Sequence, residues 1–156
     1  MKAAEKIKLD LVTQFGFLTD QVHIQRARRI WCDVEQAKFW EVFELAVKKL
    51  NFQFIATITG LDEGENLGFI YHLYREDGIL LNIQTHIKKD EGVLKSVRSY
   101  FPGAVIYEKE LIDLFGARIE DLPEGVRYPL PDDWPDKQYP LRKDWDASVL
   151  DQKENK

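Results

Sequence analysis

Apolar and polar positions repeat with two periods along this chain, and the change of period marks its elements. Ala4, Ile7, Leu11 and Phe15 recur at helical spacing and Gly16 closes the run, which predicts a first amphipathic helix. Residues 21–33 read as extended, with Val22, Ile24, Ile30 and Cys32 on one parity and Arg26 and Arg28 interrupting it. A long strand with a bulge accommodates the two arginines, and so do two short strands. Asp33 then stands as N-cap to a second helix over residues 34–50. There Phe39, Phe43, Ala46 and Leu50 form an i, i+4, i+7, i+11 stripe, widened by Trp40 and Val47.

From Phe52 the period becomes two, with Phe52, Phe54, Ala56 and Ile58 alternating with Gln53, Ile55, Thr57 and Thr59. Glu63-Gly64-Glu65-Asn66 supplies turn chemistry, and residues 67–75 and 79–88 flank Asp77-Gly78, a strong hairpin signal. A three-stranded antiparallel meander follows. With Asp77-Gly78 as a two-residue loop, Ile70 faces Thr85, His72 faces Ile83 and Tyr74 faces Leu81, so His72 and His86 fall on opposite faces. His23, His72 and His86 come from separated segments and belong to no ligand motif, so half-buried histidines are expected in place of a metal site.

A short helical turn is expected over residues 96–101, and Pro102-Gly103 introduces a helix from Ala104 that stops at Gly116. At 100° per residue Ala104, Tyr107, Leu111, Leu114 and Phe115 share one face, and Glu108 falls among them. Glu110 lies on the border of that stripe and Asp113 almost opposite it. Three readings of Glu108 stand. It is a catalytic acid or base whose pKa burial raises, or the partner of an arginine such as Arg26 or Arg28, or a side chain that a slight rotation of the helix returns to solvent. No His, Ser or Cys nucleophile motif accompanies it. A hydrolase pairing Glu108 with Glu110 or Asp113 needs both carboxylates in one cleft, whereas Glu108 and Asp113 lie about 140° apart by the helical period.

Composition narrows the chemistry. The 156 residues fit one domain, and Cys32 is the only cysteine, so the chain cannot ligate a cysteine-bound cluster alone or form an internal disulfide. A net charge of −5 argues against a nucleic-acid partner. The first ten residues hold no apolar signal region and no run approaches ~18 apolar residues, so a soluble intracellular protein is the expectation. Charge is uneven, with ten acidic against six basic residues from Glu120 onward, where five of the six prolines also fall. The chain therefore divides into a body, residues 1–120, and a Pro-rich acidic arm, residues 121–156. Such prolines exclude helix and central strand, yet the arm carries Tyr128, Trp134, Tyr139 and Trp145. An extended arm lying on another surface, anchored by its aromatics with Arg127 and Arg142, explains them better than a disordered tail.

Tyr107-Glu108-Lys109-Glu110-Leu111-Ile112-Asp113-Leu114-Phe115-Gly116 resembles the E-R-E-x-x-D-x-F-G helix of a known family, the 30 kDa subunit family of respiratory complex I. Group 4 membrane-bound hydrogenases carry its counterparts. Pro140-Leu141-Arg142-Lys143-Asp144 matches the family's P-L-R-K-D signature, and Asp132-Asp133-Trp134 its acidic-Trp step. Ile58-Thr59-Gly60-Leu61-Asp62 and Tyr71-His72-Leu73 are similar to its meander strands, so the resemblance covers about residues 50–145. Lys109 stands for the central Arg, Val105-Ile106-Tyr107 lacks the usual Trp, Leu122-Pro123-Glu124 lacks a histidine and Arg127-Tyr128 replaces a double arginine. These departures resemble the hydrogenase branch more than the NADH branch.

Pattern and resemblance together predict an α+β fold. It is a two-layer sandwich of a mixed, mostly antiparallel sheet of four to five strands with helices on one face, plus an extended C-terminal arm. The resemblance implies a cofactor-free peripheral subunit on the cytoplasmic side of the cell membrane. It would lie beside a large subunit, which bears the [NiFe] site in hydrogenases and frames the quinone site in complex I, and near a small iron–sulfur subunit. The assembly would pass electrons from ferredoxin to protons and translocate ions, while this chain clamps the redox subunits and catalyses nothing. The 30 kDa subunit of an NADH-quinone oxidoreductase is the alternative, and a free-standing peptide-binding module a further one. Interface or structural ion-pair residues are then Tyr107, Glu108, Glu110, Asp113, Arg127, Trp134, Pro140, Leu141, Arg142, Lys143 and Asp144.

Overall fold

Helix and strand periods alternate through the chain and produce a mixed α+β fold in the computed structural model, which describes residues 2–123, 125 and 127–151. In order come α1 (Ala3–Gln14), β1 (Val22–Arg26), β2 (Arg29–Asp33), α2 (Gln36–Lys48), β3 (Phe54–Asp62), β4 (Asn66–Tyr74) and β5 (Leu80–Lys88). Then follow β6 (Val93–Lys95), α3 (Val105–Phe115), β7 (Arg118–Glu120) and a last turn of helix, α4 (Ser148–Asp151). Five strands form one sheet in the order β1-β2-β5-β4-β3, mostly antiparallel, with β2 and β5 parallel. β6 and β7 form a separate parallel pair that the periodicity does not announce.

The chain forms two compact units, residues 1–59 with 68–86, and residues 60–67 with 87–156. In the first, α1 buries Ala4, Ile7 and Leu11, and α2 buries Phe39, Val42, Phe43 and Ala46. The α2 stripe meets β4 through Tyr71, whose ring lies 4.7 Å from Phe39 and 5.8 Å from Phe43. β4 and β5 turn Phe69, Tyr71, Leu73, Leu81 and Ile83 into the core at zero exposure. Each of these strands rises from one odd-numbered core position to the next, as period two requires.

Of the two readings left open for residues 21–33, the structure takes two short strands, joined as a hairpin with an irregularity between Ile24 and Arg26. Other expectations in this unit need correction. Asp33 does not cap α2; it continues β2 opposite Gln84, and Glu35 takes the N-cap position. The β4–β5 loop has three residues rather than two. Arg75 and Ile79 close it, since the Ile79 carbonyl accepts from the Arg75 N–H at 3.0 Å, and Gly78 adopts a left-handed φ of 77°. Three-residue loops place a glycine at this position, and the extra residue slips the register by one. His72 accordingly meets Asn82, with Nδ1 to Oδ1 at 2.7 Å, and parity puts His72 and His86 on the same face. Phe54 and Ala56 are exposed, although they share the parity of the buried Ile58.

The second unit buries Leu94, Val97, Ala104, Leu111, Phe115 and Ala117. A 3-10 turn, Pro102–Ala104, leads into α3, and Gly116 ends it at φ 68° with its N–H on the Ile112 carbonyl. Over residues 96–101 a single hydrogen-bonded turn forms, Phe101 N–H to Val97 carbonyl at 3.0 Å.

Candidate functional site: the polar clasp of the second unit

α3 ends on carbonyls that its own helix cannot satisfy, and the tail supplies their donors. The Leu141 N–H donates to the Leu114 carbonyl at 3.1 Å, and Arg142 Nε to the Phe115 carbonyl at 2.6 Å. A guanidinium at this place also meets the negative end of the helix dipole. Arg142 stacks over Tyr139 at 4.5 Å and pairs with Asp90 at 2.8 Å, and its side chain is 9% exposed. Gly116 makes the approach possible, because a Cβ there would stand 2.5 Å from the Tyr139 ring and 2.7 Å from Arg142 Nη2.

Asp62 is the second anchor. Its buried carboxylate accepts from Lys89 Nζ, the Gly64 N–H and the Lys143 N–H, each at 2.8 Å. Burial alone would raise its pKa. The Lys89 hydrogen bond, the two backbone donors and the Lys89 charge outweigh that and hold it at about 2. Lys89 also reaches Asp144 at 3.7 Å. The P-L-R-K-D stretch thus folds back on its own unit, by Leu141 and Arg142 on the helix end and by the Lys143 backbone on Asp62.

Upstream in the tail, Asp113 pairs with Arg127 at 3.5 Å and accepts from the Leu130 N–H at 3.2 Å. Arg127 donates to the Trp134 carbonyl at 2.7 Å and approaches Asp136 at 3.6 Å. Trp134 Nε1 donates to the Gln138 carbonyl, Trp145 Nε1 to the Gln138 side-chain oxygen, and the two indoles lie 6.0 Å apart. Pro140 is half-buried between Tyr139 and Leu141. Tyr107 and Glu110 are half-buried and make no side-chain hydrogen bond with a described residue. Glu124 lies outside the described residues.

Helical phase put Glu108 among apolar neighbours, and it is fully enclosed. Its partners are neutral donors and not Arg26 or Arg28. Ser96 Oγ donates to Oε2 at 2.6 Å and the Val97 N–H to Oε1 at 2.8 Å. Burial raises its pKa, against these hydrogen bonds and the nearby Arg98 charge. With both oxygens engaged and no exposed surface, Glu108 ties α3 to the segment after β6 and offers nothing to a substrate. Asp62, Lys89, Asp90 and Ser96 escaped sequence reasoning. The one available signal was Asp62 on the same parity as Phe54, Ala56 and Ile58.

A cavity of about 650 Å³ opens beside the clasp, lined among others by Arg118, Tyr139, Arg142 and Trp145. The outer surface of the unit exposes Ile106, Tyr128 and Leu141 by 50%, 44% and 51%.

The chain is 32% identical to the membrane-bound hydrogenase subunit beta of Pyrococcus furiosus, over 74% of this chain and 69% of that one. It is 29% identical to a subunit of the F(420)H(2) dehydrogenase of Methanosarcina mazei, over 92% of each. Among solved structures it matches a chain of the membrane-bound sulfane sulfur reductase, an archaeal respiratory membrane complex. That match has a TM-score of 0.78 and 25% identity, covering 96% of this chain and 89% of that chain. Among the described residues no helix is long and apolar enough to cross a membrane. Residues 32–149 match the family described as respiratory-chain NADH dehydrogenase, 30 kDa subunit, and to that family the chain belongs.

Proposed function

We propose that this chain is a cofactor-free structural subunit of a complex I-like membrane oxidoreductase of the energy-converting [NiFe] hydrogenase type. In this reading it sits peripherally on the cytoplasmic side and holds the large catalytic subunit beside the small iron–sulfur subunit. The observation that carries it is the clasp. Within the family signature, Arg142 and the backbones of Leu141 and Lys143 fix the tail to the end of α3 and to Asp62, while the Leu141 side chain points outward at 51% exposure. A tail fixed in this way presents apolar anchors without paying ordering entropy on association. Identity to a membrane-bound hydrogenase subunit supports the hydrogenase type. The family's own description favours the second reading, the 30 kDa subunit of an NADH-quinone oxidoreductase.

Leu141→Glu tests the clamp. The substituted side chain leaves the backbone bond to Leu114 in place, so the chain should fold normally and fail to co-purify with the large subunit. Co-purification at normal yield would sink the proposed clamp. Nickel in the purified complex is the expected result for the hydrogenase type, and a nickel-free complex that oxidises NADH would replace it with the second reading.

A further inference from the structure

The tip of the β1–β2 hairpin belongs to the first unit and carries Arg26, Arg28 and Arg29, all exposed. Among the described residues none of the three has an ion-pair or side-chain hydrogen-bond partner. Arg26 and Arg29 stand directly opposite each other on the antiparallel ladder. Like charges in that relation destabilise a sheet, so the fold gains nothing from them. The tip is nevertheless held in place. The Arg28 carbonyl accepts from the Leu80 N–H at 2.8 Å, and Arg28 Nη1 rests against Gly78, 3.3 Å from where a Cβ would stand.

We propose that this hairpin tip is a docking point for an acidic segment of a partner protein, whose carboxylates are received by the three guanidinium groups. Arginine forks match carboxylates in pairs, and a pre-set backbone lowers the ordering cost of binding. Two other polyanions fit less well. The chain as a whole carries a charge of −5, which opposes a nucleic acid. For an anionic membrane, three cations fall below the cluster of roughly four to eight that lipid headgroups select, and Ala27, between Arg26 and Arg28, is too small to anchor in one.

The proposal rests on the chain being a subunit of a larger assembly, and the test separates the two. In the native complex, Ala27→Cys would carry a benzophenone-maleimide photo-crosslinker. Cys32 does not compete, since it is fully buried and its thiol is pushed up to about 12 by burial and by the Asp33 charge. The expected adduct is on a net-negative segment of a partner protein. An adduct on lipid, on a neutral or basic segment, or no adduct at all overturns the proposal. In parallel, Arg26→Gln/Arg28→Gln/Arg29→Gln should weaken the assembly about tenfold or more and move its dissociation to lower KCl. Replacement of the same three by lysine should restore part of the loss. Unchanged salt sensitivity of the triple glutamine variant also overturns the proposal, and it leaves the clamp standing. Failure of the wild-type chain to co-purify with any other protein removes both.

Discussion

In the first unit the largest fully buried side chains are aromatic, Phe43, Phe52, Phe69 and Tyr71 at zero exposure, and its charges nearly balance at ten basic and nine acidic. The second unit has twelve basic against eighteen acidic residues and depends on single polar contacts: Asp62 with Lys89 and Lys143, Arg142 with the end of α3, Glu108 with Ser96 and Val97. Burial is spread over many interchangeable contacts, so losing one group costs by volume. A point contact between buried polar groups has one partner, and its loss leaves the other unsatisfied. The two units should therefore fail under different perturbations.

The largest effect is expected from Phe43→Ala, which should cost about 3–5 kcal/mol in chemical denaturation, with little dependence on pH. Asp62→Asn is its counterpart in the second unit. It keeps the shape and removes the charge nearest Lys89, whose side chain is only 12% exposed and is left with Asp144 at 3.7 Å, so about 2–4 kcal/mol should be lost at neutral pH. Acid distinguishes the two substitutions. Asp62 has its pKa lowered from 3.8 to about 2, so the unfolded state takes up the proton first on acidification. The stability it contributes is present above about pH 4 and is lost as the pH falls towards 2, about 2 kcal/mol in all. Asp62→Asn should abolish that part of the acid dependence, while Phe43→Ala should keep it. A cost for Asp62→Asn below about 1 kcal/mol, as for an exposed pair, would erase the contrast.

The same contrast explains what was legible in the sequence. Phe39, Phe43 and Ala46 repeat with the period of the helix they occupy, so α2 and the face it buries are readable from spacing alone. Glu108 was found in the same way, because phase needs only a helix and a starting point. The β4–β5 register was not, since Asp-Gly serves two-residue and three-residue loops alike, and Gly78 in its left-handed conformation closes the longer one. The partner of Lys143 could not be read either. Asp62 lies 81 positions away, and no period connects the two. Arg142, Lys143 and Asp144 are recognisable as a motif, but nothing in the sequence says that they grip their own unit.

Glu108 gives a smaller effect, of opposite sign to Asp62. Its pKa is raised by burial, so the stability linked to its proton is fully present below the ordinary carboxylate value and is lost as the pH rises through the folded-state value. Glu108→Gln keeps both contacts, with the amide oxygen accepting from Val97 and the amide NH2 donating to Ser96 Oγ. It should match the wild type in acid and exceed it slightly at neutral pH in thermal melts. Glu108→Ala should instead cost about 1–3 kcal/mol at either pH, because the Val97 N–H and Ser96 lose their acceptor. If the glutamine variant were as damaged as the alanine variant, the carboxylate charge would be required, and Glu108 would function as an ion-pair partner.

The smallest effect belongs to the first unit, where charge works against the fold. Arg29→Gln removes one member of the cross-strand Arg26–Arg29 pair and leaves the ladder hydrogen bonds in place. Relief of like-charge repulsion should raise stability by a few tenths of a kcal/mol at low ionic strength. About 0.5 M salt should remove the gain, because the Debye length is then shorter than the separation of such exposed charges. Chemical denaturation of the two proteins at two salt concentrations measures it. A loss of stability in the variant at low salt would mean that Arg29 has a stabilising contact within its own unit. The arginines of the hairpin would then belong with the clasp residues, as groups that hold the fold, and the first unit would no longer be the one that burial alone secures.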